Sequence, residues 1–171
     1  MDKAAIVLET ILSRRSIRRY TDQKLTREQI EALLDAAMAA PSANNRRPWH
    51  FVVVQEVARR KALSQVHRWA HMIEEAPVAI AVCAESNGNP FWIDDCSAAT
   101  ENILLAAQAM GLGGVWIGIH PTASYQAAIR EILHLPMSIG VHCLLAIGYP
   151  AERRPAYSKH DPTRVHWERW E

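Results

Sequence analysis

The chain has 171 residues, with 19 Lys and Arg against 18 Asp and Glu, for a formal net charge of +1 at pH 7. That length suits one domain, residues 1–171, with a sizeable core, and the near-neutral balance argues against a nucleic-acid binder or a membrane-surface protein. Three cysteines, Cys83, Cys96 and Cys143, form no disulfide framework, being few and odd in number; with no signal peptide legible and no apolar run near the ~20 residues of a spanning helix, the expected compartment is the cytoplasm.

In chain order, Ala4, Leu8, Ile11 and Leu12 recur at helical spacing and predict a helix over 3–13. Four arginines then fall within the six positions 14–19, in "RRSIRRY". "TREQ" (Thr26–Gln29) is a capping box, and Ile30, Leu33, Leu34, Ala37 and Met38 mark the apolar face of the helix it opens. Pro41 ends that helix, and "PSANNRRPW" (41–49) reads as a loop leading into the strand "FVVV" (51–54). Residues 57–74 predict one helix, with Leu63, Val66, Ala70 and Ile73 on one side. "PVAIAVC" (77–83) is a strand buried on both faces. After the loop "ESNGNP" (85–90), Asp94 or Asp95 is the expected cap of a helix over roughly 95–110. That helix is apolar around most of its circumference, so it belongs in a large core or a subunit interface. Gly111 stops it. "GGVWIGI" (113–119) is a strand, Thr122 opens a helix to about Leu133, "GVHCLLAIGYP" (140–150) is a strand, and a polar tail rich in Arg, Pro and Trp follows. Helices and strands mix without βαβ alternation, which predicts an α+β fold.

Among the motifs, the arginine cluster has two readings: a solvated turn with salt bridges, or guanidinium forks and the Ser16 hydroxyl gathered around a phosphate. The glycines at 111, 113, 114 and 118 do not make a dinucleotide fingerprint, because a helix precedes them and a strand follows. Gly118, inside a strand, instead marks a close approach of ligand or backbone. His67 and His71 stand four apart but lack a third ligand, so surface histidines are the simpler reading and no metal is assigned. Trp49, Trp92, Trp167 and Trp170 belong in pockets or interfaces.

The segments "RRSIRRY", "AAPSANNRRPWHFVVV", "AAQAMGLGGVWIGIHP" and "SKHDPTRVHW" resemble, in order and spacing, the nitroreductase-like FMN flavoproteins across nearly the whole chain. The resemblance implies a mixed, mostly antiparallel central sheet wrapped by helices, in an intertwined homodimer with FMN at the subunit interface. It implies that Arg14, Arg15, Ser16 and Arg18 hold the phosphate and part of the ring edge, with Lys159 completing the phosphate site. Pro41, Ser42, Ala43 and Asn45 match the loop that reaches the flavin of the other subunit. Trp116, Ile117 and Gly118 match the strand end whose backbone approaches the N5/O4 edge. The helix over 95–110 fits the expected dimer interface. The implied activity is hydride transfer from NADH or NADPH to flavin N5, then ping-pong reduction of a nitroaromatic, quinone or other electron-poor acceptor, the chemistry residing in the cofactor. No side chain is assigned as acid or base; Arg14 or Arg18 is the candidate donor near N1/O2. Arg47 departs from the usual Gln, and residues 84–93 offer only a small lid. Other readings are a same-fold enzyme of different flavin chemistry (dehalogenation, flavin fragmentation), a non-catalytic FMN binder, or a structural homodimer whose arginines hold another phosphate ligand.

Overall fold

The computed structural model describes residues 2–170. Its first helix, α1 (Lys3–Ser13), starts where the Asp2 carboxylate accepts the Ala4 amide at 3.4 Å. The capping box is complete: Thr26 Oγ1 accepts the Gln29 amide at 3.2 Å, and Gln29 Oε1 accepts the Thr26 amide at 3.0 Å. The helix it opens, α2 (Arg27–Met38), buries Ile30, Leu33 and Ala37, while Met38 at its end is exposed.

Four strands, β1 (Trp49–Val54), β2 (Val78–Glu85), β3 (Gly113–Gly118) and β4 (Ile139–Gly148), form one sheet in the order β1-β2-β4-β3, each antiparallel to its neighbours. The parallel element among the described residues is a single bridge from Ser16 to Gly114 at the β3 edge. The two central strands are buried along nearly their whole length, as their unbroken apolar runs require. On one face of the sheet, α2 and α5 (Trp92–Ala109) enclose Leu33, Ile80, Val82, Ile103, Leu145 and Ile147. On the other face, Leu63, Ile73, Ile117, Ile129 and Leu144 form a second core with α3 (Val57–Ser64), α4 (Met72–Glu75) and α6 (Ala123–Leu133).

Two expectations are corrected. The helix over 57–74 is two helices, although Leu63, Ala70 and Ile73 are all fully buried as the periodicity requires. The cause is Arg60, which is buried and donates through Nη1 to the carbonyls of Glu74 (2.6 Å) and Ala76. A guanidinium inside the fold needs such acceptors, and reaching them folds 65–76 back against α3. The helix expected from 95 begins at Trp92, so neither Asp94 nor Asp95 is its cap; the Asn89 side chain accepts the Phe91 amide at 3.2 Å just before it. Of the 18 residues of α5 seven are buried within the chain, whereas α1 buries none. The large apolar residues of α1, from Ile6 to Leu12, are 43–67% exposed. The first helix is therefore the one that its own chain leaves without cover.

No helix among the described residues is long and apolar enough to cross a membrane.

Candidate functional site

The arginine segment runs along the free edge of β3. Ile17 donates its amide to the Gly114 carbonyl at 3.0 Å, and a Cβ on Gly113 would stand 2.7 Å from the Ile17 side chain. Gly113 thus admits the segment, a role different from any phosphate loop. Residues 149–152 fasten the segment from the other side. Thr21 donates to Tyr149 O, Ala151 to Arg19 O, and the Arg18 amide to Glu152 Oε1 at 2.6 Å. That last bond is the main reason the Glu152 carboxyl is held below the usual carboxylate range. The Tyr20 hydroxyl lies 2.6 Å from Ile17 O and 2.9 Å from Ala146 O, and its burial raises its pKa far above the ordinary value.

This lacing brings Arg14, Arg15, Ser16 and Arg18 together with Lys159 around one hollow of about 360 Å³, which Arg154, Pro155 and Tyr157 complete. Arg14 engages Glu101 through Nε alone, at 3.4 Å. The Arg18 guanidinium has no hydrogen bond or ion pair among the described residues, so the cluster is not a set of satisfied surface salt bridges. Arg15 differs: four of its donors already meet backbone carbonyls.

The loop after α2 is the second predicted segment. Its Ala43–Asn45 turn is 3-10, and Asn44, Asn45 and Arg47 all have φ between 51° and 53°, a left-handed conformation that costs energy in any residue but glycine. Side chains hold it there. Ser42 Oγ accepts the Arg47 amide (2.9 Å), Asn45 Oδ1 accepts from Arg47 Nε (2.9 Å), and Asp95 Oδ1 accepts the Ala43 amide (2.8 Å). Arg47 is thus a brace within the loop. Asp95 is nearly fully buried, and its second oxygen has no partner.

The third segment, Trp116–Gly118, ends β3. A Cβ on Gly118 would meet nothing within 4 Å. Beside it stands a residue that the sequence reading left unremarked. β2 and β4 slip register between Val82 and Cys83, which leaves His142 as the extra residue of a bulge. The bulge turns both His142 and Cys143 toward α5. His142 is 7% exposed, its Nε2 lies 3.2 Å from Ser97 Oγ, and its ring meets Trp116 edge-on at 5.2 Å. Ser97 gives its own proton to Ile93 O at 2.8 Å, so Nε2 carries the hydrogen of the imidazole and Nδ1 is a buried bare acceptor. Burial foremost, with His120 nearby, brings the His142 pKa down to about 4. Its one sequence signal is a histidine inside an otherwise apolar strand.

The other singled-out residues scatter. His67 packs edge-on against Tyr125 and accepts the Trp69 amide, and no cluster of three or more candidate metal ligands occurs among the described residues. Trp49 is buried and Trp92 packs on His120 and His142, while Trp167 and Trp170 are more than 80% exposed.

Comparison with known proteins gives one consistent result. The model of the nitroreductase family matches residues 11–71 and 64–149. A protein of Archaeoglobus fulgidus, provisionally named an NADH dehydrogenase/NAD(P)H nitroreductase, is 43% identical over 170 residues, covering 95% of this chain and 98% of its own. An FMN-dependent nitroreductase from Clostridium difficile superposes with a TM-score of 0.92 at 33% identity, covering 95% and 99% of the two chains. A provisionally named nitroreductase of Desulfovibrio desulfuricans, solved in complex with FMN, superposes at 0.83 with 32% identity and 96% and 98% coverage.

Proposed function

This chain belongs to the nitroreductase family, and from that premise we propose that it is an FMN-dependent oxidoreductase that takes electrons from NADH or NADPH. The carrying observation is the hollow in which Arg14, Ser16, Arg18 and Lys159 converge, with the Arg18 guanidinium unpaired among the described residues and Arg14 held by Glu101 through Nε. Three cations and a hydroxyl suit a phosphate monoester dianion, since charge-assisted donors are the strong ones. The open space beside Gly118 suits a planar ring lying against backbone. The residues therefore fit FMN.

When bound, FMN would accept hydride from the nicotinamide and pass the electrons to an electron-poor acceptor such as a nitroaromatic or quinone in a second half-reaction. The chain's own part is to bind and orient. Arg14, Ser16 and Arg18 would hold the phosphate, Lys159 would close that site, and the β3 end with Trp116 and Ile117 would present backbone to the ring. The loop with Pro41, Ser42, Ala43 and Asn45 is pre-shaped by Asp95 and Arg47 and would reach the site of a second copy. That arrangement makes the active unit a homodimer, and the uncovered α1 is its natural seam. No side chain is assigned a proton-transfer role.

The test is a steady-state screen on FMN-loaded protein, each nicotinamide paired with menadione and with a nitrofuran. NAD(P)H oxidation dependent on both FMN and acceptor is the expected result. Protein that stays colourless after incubation with FMN would end the reading, and flavin binding without turnover would make it a binder.

A further inference from the structure

We infer that Arg15 is a positioning residue, a latch that fastens the C-terminal strap 155–159 to the arginine segment and so delivers Lys159 to the hollow. The role for the phosphate rests on the function proposed above; the latch itself does not.

A guanidinium has five N–H donors, and two adjacent ones are needed to fork a phosphate. Arg15 Nη1 donates to Leu12 O at 2.8 Å and Arg14 O at 2.7 Å, Nε to Pro155 O at 3.2 Å, and Nη2 to Tyr157 O at 3.3 Å. One donor is left, so no bidentate pair remains. Arg14 keeps both Nη groups, and the Arg18 guanidinium is unengaged among the described residues. Chemically distinct roles thus lie within five positions: Arg14 and Arg18 keep donors for a ligand, and Arg15 is turned onto carbonyls.

What Arg15 holds is otherwise loosely tied. Residues 153–160 form no helix or strand. Between Pro155 and His160, the hydrogen bonds that leave the stretch, among the described residues, all end on Arg15. The Tyr157 ring meets two cations, Arg15 at 5.0 Å and Lys159 Nζ at 5.6 Å from its centroid. Such contacts order the side chains that meet the ring. Lys159 therefore reaches the hollow through a chain of contacts that starts at Arg15. Lysine cannot replace it, because one ammonium cannot bridge two carbonyls two residues apart while also meeting Leu12 and Arg14.

The experiment has two arms. In the first, the full chain, as purified and after FMN removal, is exposed briefly to chymotrypsin, which cuts after the exposed Tyr157. Arg15→Lys should raise cleavage at Tyr157 several-fold with or without FMN, while Arg18→Ala leaves the FMN-free rate unchanged. An unchanged rate in Arg15→Lys would overturn the latch, as would a rise at every site at once, which would mean that Arg15 supports the fold at large. The second arm measures FMN affinity for Arg15→Lys, Lys159→Met and the double variant. A latch predicts losses of roughly tenfold for each and no further loss when they are combined, because both remove the same contact. Losses that multiply would make Arg15 an independent ligand. If no variant, nor the wild type, binds FMN, the functional reading fails while the proteolysis arm still decides the latch.

Discussion

Arg18 and Ser16 have what Arg15 largely lacks, donors with no partner among the described residues, and that difference sets the sharpest predictions. Arg18→Ala or Ser16→Ala should weaken FMN by about ten- to a hundredfold, the equivalent of about 1.5–3 kcal/mol for a charge-assisted contact, and should barely change riboflavin. Titration of both flavins by fluorescence quenching checks this, and equal losses for the two would remove the phosphate from the hollow. Gly118→Val tests the ring. A Cβ there meets no atom within 4 Å, and valine suits a strand, so the variant should fold normally yet be purified with little flavin. Full flavin occupancy with an unchanged spectrum would displace the ring from this position. At this scale the sequence was legible where residue types are scarce in meaning: clustered arginines and a strand glycine. It was silent on which arginine faces carbonyls, because that depends on a strap 140 residues away in sequence.

Among the elements, burial was more legible than boundaries. The apolar pattern over 57–74 marked Leu63, Ala70 and Ile73 correctly as core, yet the chain breaks between α3 and α4 because Arg60 binds the carbonyls of Glu74 and Ala76, which a continuous helix would carry roughly 20 Å away from it. Periodicity cannot register such a competition. The β4 bulge was equally illegible, since an extra residue in a strand changes side-chain direction without changing composition. Its product, His142, gives stability a pH dependence. In the folded chain His142 stays neutral down to about pH 4, whereas in the unfolded chain it takes a proton near 6.5. Between those values the unfolded state binds more protons. The contribution is therefore complete above about pH 6.5 and is lost as pH falls toward 4. From pH 7.5 to 5 the loss attributable to this group is about 2 kcal/mol. Urea denaturation of wild type and His142→Gln at the two pH values isolates it: the variant should lose about that much less on acidification. Identical losses would mean that the ring gains its proton in the folded state as easily as outside it.

At the scale of the whole molecule, the chain alone leaves too much apolar surface uncovered. Ile6, Val7, Leu8, Ile11 and Leu12 of α1 are exposed together, and Trp167 and Trp170 stand in the open on the tail. Each such side chain, fully buried, would contribute about 1.5–3 kcal/mol, and clustered exposure of this kind marks an interaction surface. A second copy is the occupant that the proposed function requires, because the braced loop at 41–47 has no role in its own chain's hollow. Since α1 leads directly into Arg14, cover on the helix would also steady the arginine segment. Leu8→Glu and Leu12→Glu introduce charge where the single chain buries nothing, so neither should harm the fold of the monomer. Both should shift sedimentation from a dimeric to a monomeric species, and flavin absorbance per chain should fall in step with dissociation. Retained far-UV circular dichroism would establish that assembly, not folding, was lost. A monomer that keeps a full complement of FMN would break the link between the seam and the site, and would return the Pro41–Asn45 loop to a purely structural role.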